Sequence, residues 1–293
     1  MQMIEYFETT KRINNINLKE RTRLIYEYCI NKYILPHFEN VEIMNIDTNS
    51  LQLYLNMLVT KNLSTNTIKL VWRLIKFMAK DIKLDINWDD IIIPHTHEKQ
   101  VDAFCLQEQK KIENKLNIDK SPKHIGILLA LYMGLRLGET LALKWEDIDF
   151  DNKLVKIKRT VYIKGGELTY STPKTKSSIR TIPLPAFLEK MLKNIKNKSN
   201  CEFVVCQKGK PITPRTYQHF FKSLQLKAEV TKVKGFHSLR HTFATRALEC
   251  GIDIKSLADI LGHKNPNVTL IRYAHSMLDY KKQIMNKIGK LHN

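Results

Sequence analysis

The stretch LVKIKRTVYIKGGELTYSTPKTKSSIRTIPL, residues 154–184, decides the fold class of this chain. Leu154–Ile163 alternates roughly as a half-buried strand does, after an Asp151-Asn152 turn. Lys164-Gly165-Gly166 turns the chain, and Ser178–Leu184 suggests a further strand. On both sides the pattern is helical. Upstream, Ser121-Pro122 opens a helix through HIGILLALYMG that Gly134 can end. Downstream, helices are expected over 186–196, 214–224, 238–249 and 253–261, with a C-terminal one near 277–290. One small sheet amid helices is an α+β pattern, so the chain is expected to be mostly α with a small β-sheet.

The first hundred residues read as helical and basic. Asn17-Leu-Lys-Glu20 offers a cap with a glutamate three residues on, and that helix should stop near Pro36. A second helix starts at Thr48 and buries Leu51, Tyr54, Leu55 and Leu58. A third follows Ser64 and Thr65 and places Ile68, Val71, Ile75 and Met78 on one face. Lys69, Arg73, Lys76 and Lys80 share another narrow face, with no acid inside the stripe. A merely solvated face mixes signs, so the stripe is more than a solvated face. Pro94 and its polar flanks mark residues 89–102 as a connector. The expected organisation is a helical domain over 1–95, a linker over 96–102 and a second domain over 103–293.

The chain has 293 residues, and 48 Lys and Arg against 29 Asp and Glu leave a net charge of +19. A surplus of that size attracts polyanions, nucleic acid first among them. No apolar run approaches the roughly 18 residues that span a bilayer. MQMIEYFETTKR lacks the basic start and apolar stretch of a secretory signal. Five cysteines without CxxC spacing read as reduced core thiols, and the expected location is the cytoplasm.

Three short motifs stand out. Gly134-Leu-Arg136-Leu-Gly138-Glu139 sets an arginine at a glycine-flanked junction, where it can be aimed into a cleft. His237-Ser-Leu-Arg240-His241 brings an imidazole and a guanidinium to one helix face, able to converge on one anion. His237 and His241 at helical spacing also suit zinc, but the glutamate of HExxH is missing and no CxxC adds ligands, so no metal is expected. Leu261-Gly262-His263 precedes Arg272-Tyr273-Ala274-His275. A tyrosine at helical spacing is most often core and carries no role alone.

Together these motifs resemble the tyrosine recombinase (phage integrase) family, and the pattern is most like integrases of phages and conjugative transposons. The match runs GLRLGE (Arg136), PKTKSSIRTIPL (Lys174), HSLRH (His237, Arg240), LGH (His263) and RYAH (Tyr273), in that order. It covers about 101–293 as the catalytic domain, and 1–95 is similar to the family's core-binding domain. The resemblance implies a clamp of both domains around duplex DNA, four protomers per synapse, and no cofactor. Accessory directionality or DNA-bending proteins are further partners it suggests. Many such integrases carry an N-terminal arm-binding domain; this chain begins in the core-binding helices, so that domain is lacking or removed. Lys174 fits KTxxSxR, with Lys176 as the alternative.

The implied roles follow from phosphoryl chemistry. Arg136 and Arg240 would bind nonbridging oxygens and stabilise the pentavalent transition state. Tyr273 would attack to give a 3′-phosphotyrosine, with His237 handling its proton. Lys174 would protonate the departing 5′ oxygen, His263 would hydrogen-bond the phosphate, and Glu139 would orient the arginines. Arg180, Arg215 and Tyr217 are expected DNA contacts beside the basic stripe. Two other readings are a type IB topoisomerase-like nicking-closing enzyme and a DNA-binding protein with a decayed site. The short amphipathic MLDYKKQIMNKIGKL suits docking on a neighbour, against the first; the complete residue set argues against the second.

Overall fold

The computed structural model describes residues 20–61, 63–93, 102–116, 121–172, 178–273 and 285–286. The chain divides into two compact units, 1–99 and 100–293. The first is helical: α1 (Glu20–Cys29), a π-helical turn (Ile30–Ile34), α2 (Leu35–Phe38), α3 (Thr48–Thr60) and α4 (Thr65–Asp81). The helix expected to stop near Pro36 continues to Phe38 instead. In the π turn the Leu35 N–H bonds the Ile30 carbonyl, which resets the ladder just before the proline. Pro36 then sits in a first turn, where its missing N–H costs nothing.

Asp47 caps α3, accepting from the Ser50 N–H at 2.8 Å while the Ser50 hydroxyl accepts from the Asp47 N–H at 3.0 Å. Leu51, Tyr54, Leu55 and Leu58 turn inward from it. Ser64 caps α4, whose Ile68, Val71, Ile75 and Met78 are buried. On its other side Lys69, Arg73 and Lys80 are exposed. Lys76 is half-buried, its Nζ 5.0 Å above the Trp88 ring, which packs 5.6 Å from Trp72.

The second unit runs α5 (Leu106–Asn114), α6 (Ile125–Met133), α7 (Leu137–Ala142), β1 (Ile148–Asp149), β2 (Leu154–Ile157), β3 (Thr160–Lys164), β4 (Glu167–Ser171) and β5 (Arg180–Pro183). After these come α8 (Ala186–Lys196), β6 (Cys206–Gln207), β7 (Lys210–Pro211), α9 (Pro214–Lys227), α10 (His237–Glu249), α11 (Ile254–Leu261) and α12 (Pro266–Tyr273). IGILLALYM is apolar on every side, and α6 is accordingly buried all round, with α10 packed along it. The expected linker falls mostly, and the expected 277–290 helix almost wholly, outside the described residues.

The single strand expected over 154–163 is two strands in two sheets. Asp147 is only 2% exposed and draws in both residues at the break, Lys158 Nζ at 2.9 Å and Arg159 Nη2 at 2.6 Å. Beyond that kink β3 leaves its neighbour. β2 pairs antiparallel with β1 and β5, Val155 opposite Ile182, while β3 pairs with β4, Val161 opposite Tyr170. With the β6–β7 pair, three small antiparallel sheets replace the expected one among the described residues. The β4 strand was not legible, because ELTYS lacks clean alternation.

Helix α7 lies so close to β3 that only glycine fits at position 138. A Cβ there would collide with Thr160 Oγ1 and stand 2.9 Å from the Val161 carbonyl. Gly138→Ala is expected to destabilise the protein by about 1–3 kcal/mol through overpacking. Urea unfolding measures it; a loss below ~0.5 kcal/mol, the range of an ordinary surface change, would show that β3 yields freely.

Candidate active site

The site begins where α6 ends. Gly134 takes the left-handed conformation (φ 66°) that closes the helix, and Arg136 becomes the extended N-cap of α7. Glu139, three residues on, reaches back to the Arg136 N–H at 3.0 Å. The same carboxylate accepts from Arg136 Nη1 at 2.7 Å and from the Arg180 fork at 3.1 and 2.9 Å. Glu139 is 3% exposed, Arg180 6% and Arg136 34% by side chain. Burial alone would push the Glu139 carboxyl up. The charge and hydrogen bonds of Arg180, then the charge of Arg136, outweigh it and hold the pKa at about 2.

Arg240, on the first turn of α10, is 1% exposed. Its Nη1 donates to the Gly134 carbonyl at 2.7 Å, and its Nη2 to the Leu261 carbonyl at 2.5 Å. The same Nη2 stands 3.0 Å from His263 Nε2. Arg136 Nη2 donates to the Gly262 carbonyl at 3.2 Å, and Arg180 Nε to the Ile260 carbonyl at 2.5 Å. Three motifs far apart in sequence thus meet at the turn after α11. His263 Nδ1 lies 2.7 Å from Thr269 Oγ1, a hydroxyl fully buried in α12. His237 is the first residue of α10, exposed, its ring edge-on to His241 at 4.5 Å.

A second cluster fixes the approach to α10. Lys234 Nζ donates to Glu108 Oε2 and to the Ala103 carbonyl, each at 2.8 Å, and lies 3.6 Å from Asp102 and 4.7 Å from the Phe104 ring centre. The Phe104 N–H donates to Thr242 Oγ1 at 2.8 Å, and Arg246 Nη2 donates to the Phe104 carbonyl at 3.2 Å. The first residues of the second unit are therefore bound to the loop before His237 and to α10 itself.

Arg136, Glu139, Arg240 and His263 are brought together. Tyr273 ends α12, and only its backbone is described; Lys174 and Lys176 lie outside the described residues. Lys69, Arg73, Lys76 and Lys80 sit on α4 of the other unit, and Arg215 is exposed on the first turn of α9. One expected DNA contact needs correction. Tyr217 is wholly buried, its hydroxyl donating to the Lys123 carbonyl at 2.6 Å, and burial pushes its phenol well above the ordinary value. Arg180 places its guanidinium on Glu139 and on the Ile260 and Ser178 carbonyls, and so braces the site. Thr269 and Lys234 were missed. Thr269 had a faint signal, one helical turn before Tyr273; Lys234 reads as any surface lysine.

Among the described residues no group of three or more His, Cys, Asp or Glu could hold a metal ion, and no helix is long and apolar enough to cross a membrane. Glu139→Gln leaves two guanidiniums without their counter-charge, so we expect a loss of about 3–5 kcal/mol and of strand cleavage. A depressed folded pKa stabilises above the ordinary carboxyl value and is lost as pH falls through the folded one. The gap between parent and variant should thus be full above pH 4.5 and close towards pH 2 in urea melts. A gap that does not change with pH would contradict the ion-pair origin.

Comparison with known proteins accords with this geometry. The phage integrase family model matches residues 93–279, and the phage integrase N-terminal SAM-like domain matches 3–59. A tyrosine recombinase XerC-like protein of Caldanaerobacter subterraneus subsp. tengcongensis is 30% identical, over 93% of this chain and 78% of its own length. The transposase from transposon Tn916 of Enterococcus faecalis is 31% identical over 72% of this chain, which spans only 55% of that protein. Among solved structures, the Tn1549 transposon integrase in complex with a circular intermediate DNA superposes with a TM-score of 0.79 at 22% identity, covering 98% of this chain and 99% of that one. The end of α11, on which three arginines from elsewhere in the chain converge, therefore sits in a member of the phage integrase family, and the chain is a tyrosine site-specific recombinase.

Proposed function

We propose that the cluster around residues 261–263 holds the scissile phosphate of duplex DNA, and that this chain integrates or excises a mobile element. The supporting observation is that Arg136 and Arg240 both bond the one turn that carries His263. Two permanently charged forks aimed at one place suit a phosphoryl group whose charge grows in the transition state. Tyr273 Oη attacks phosphorus and passes its proton to His237, and the 5′ oxygen leaves as a hydroxyl with a proton from Lys174, or from Lys176 if the loop is offset. His263 donates to a nonbridging oxygen, and Glu139 keeps Arg136 aimed. The partner duplex's 5′-hydroxyl then reverses the step, so bond energy stays in the phosphotyrosine and neither ATP nor metal enters.

Two duplexes present four strands, one nucleophile is needed for each, and a homotetramer on synapsed DNA follows. Lys69, Arg73, Lys76 and Lys80 of the first unit and Arg215 of the second each meet phosphates of the duplex. Accessory directionality or bending proteins complete the assembly, in the bacterial cytoplasm beside the nucleoid. The transposon relatives support the mobile-element reading. A decayed site is less well supported, because Arg136, Glu139, Arg240 and His263 are all present and assembled, and a nicking-closing enzyme is less well supported, because the relatives are recombinases and transposases.

Suicide DNA carrying a nick near the crossover tests the reading. The parent should accumulate a 3′-linked protein–DNA adduct, and Tyr273→Phe should form none. An adduct at full yield in that variant would sink the assignment.

The basic stripe makes a separate prediction. Lys69→Gln with Arg73→Gln removes two exposed charges and should lower the salt slope of DNA binding by roughly 1.8, about 0.9 per phosphate contact. Lys76→Gln should lower it by less, because Trp88 already holds that ammonium. An unchanged slope in the folded double variant would return α4 to a solvated face.

A further inference from the structure

His263 stands between two partners of different kinds. Arg240 Nη2 can only donate, so His263 Nε2 at 3.0 Å accepts and the neutral ring carries its proton on Nδ1. That Nδ1–H points at Thr269 Oγ1, 2.7 Å away. Thr269 is the fourth residue of α12 and fully buried. A hydroxyl buried so completely costs free energy unless it is bonded. Tyr273 closes the same helix one turn later.

We propose that Thr269 is a positioning residue: its hydroxyl fixes the protonated nitrogen of His263 and ties that ring to the helix carrying Tyr273. The inference rests on the reading of Tyr273 as nucleophile and of His263 as a phosphate ligand. With Nδ1–H held by Thr269, a proton taken up at Nε2 makes the ring a donor at the nitrogen beside Arg240. A phosphate oxygen set between Nε2 and Arg240 then receives bonds from both. One hydroxyl thus aligns the electrophile's binding pair with the nucleophile's helix.

Two variants and one spectrum test it. Thr269→Val keeps the shape and loses the hydroxyl; Thr269→Ser keeps the hydroxyl. Both should bind DNA with parental Kd. Thr269→Val should form the suicide-substrate adduct about 10- to 100-fold more slowly, the scale on which losing the outer partner of a working histidine is felt. Thr269→Ser should recover to within about threefold, since the donor and acceptor return. Long-range ¹H–¹⁵N spectra of the DNA-free protein, with His263 assigned by subtraction in His263→Gln, should show the Nδ1–H tautomer in the parent and in Thr269→Ser, and a different or mixed form in Thr269→Val. An Nε2–H tautomer in the parent, or a serine variant as slow as valine, overturns the role of Thr269. An adduct that survives Tyr273→Phe instead overturns the reading on which it rests, and the tautomer result stands apart from that outcome.

Discussion

One buried carboxylate organises the second unit. Glu139 accepts from the α7 N-cap backbone, from Arg136 and from Arg180, and each donor comes attached to something the site needs. Through Arg136 the carboxylate reaches the Gly262 carbonyl, and through Arg180 it reaches the Ile260 carbonyl. A single negative charge between two guanidiniums leaves the cluster with a net positive charge. Isolated, either arginine would repel the other; with Glu139 they are held side by side. The cost is a dependence on that carboxylate, because removing one partner of a buried ionic group leaves the rest uncompensated.

The remaining architecture can be read as support for that cluster. The all-round apolar α6 gives a rigid floor from which Gly134 turns the chain into the site. Gly138 lets α7 rest on β3 without a side chain between them. Arg240 is buried against the Gly134 and Leu261 carbonyls, so the end of α6 and the end of α11 are stitched together by one side chain. Such burial costs the arginine its water, and it is tolerated because each nitrogen described finds a dipole in return.

What could be read in the sequence was local. The cap at Ser64, the inward face of α3 and the Gly134 stop depend on residues a few positions apart, and all three stand where the pattern put them. The family motifs were likewise short and ordered. What escaped was long-range. Arg180 meets Glu139 across 41 positions, and Tyr217 meets Lys123 across 94, so neither partner is visible in a window of sequence. A basic or aromatic residue near an element's start then looks free to touch DNA when it is in fact committed. The break between β2 and β3 arose similarly, from an aspartate outside the strand that captures two side chains within it.

The anchorage of residues 102–108 has a mechanical consequence. Lys234 and Lys232 hold Asp102, while Thr242 and Arg246 hold Phe104, so the chain is fastened at its entry to both the start and the middle of the α10 region. A displacement of residues 102–104 is then passed directly to the helix that carries Arg240. The fastening is ionic at one end and hydrogen-bonded at the other, so residues 102–104 and the α10 region are held as one piece.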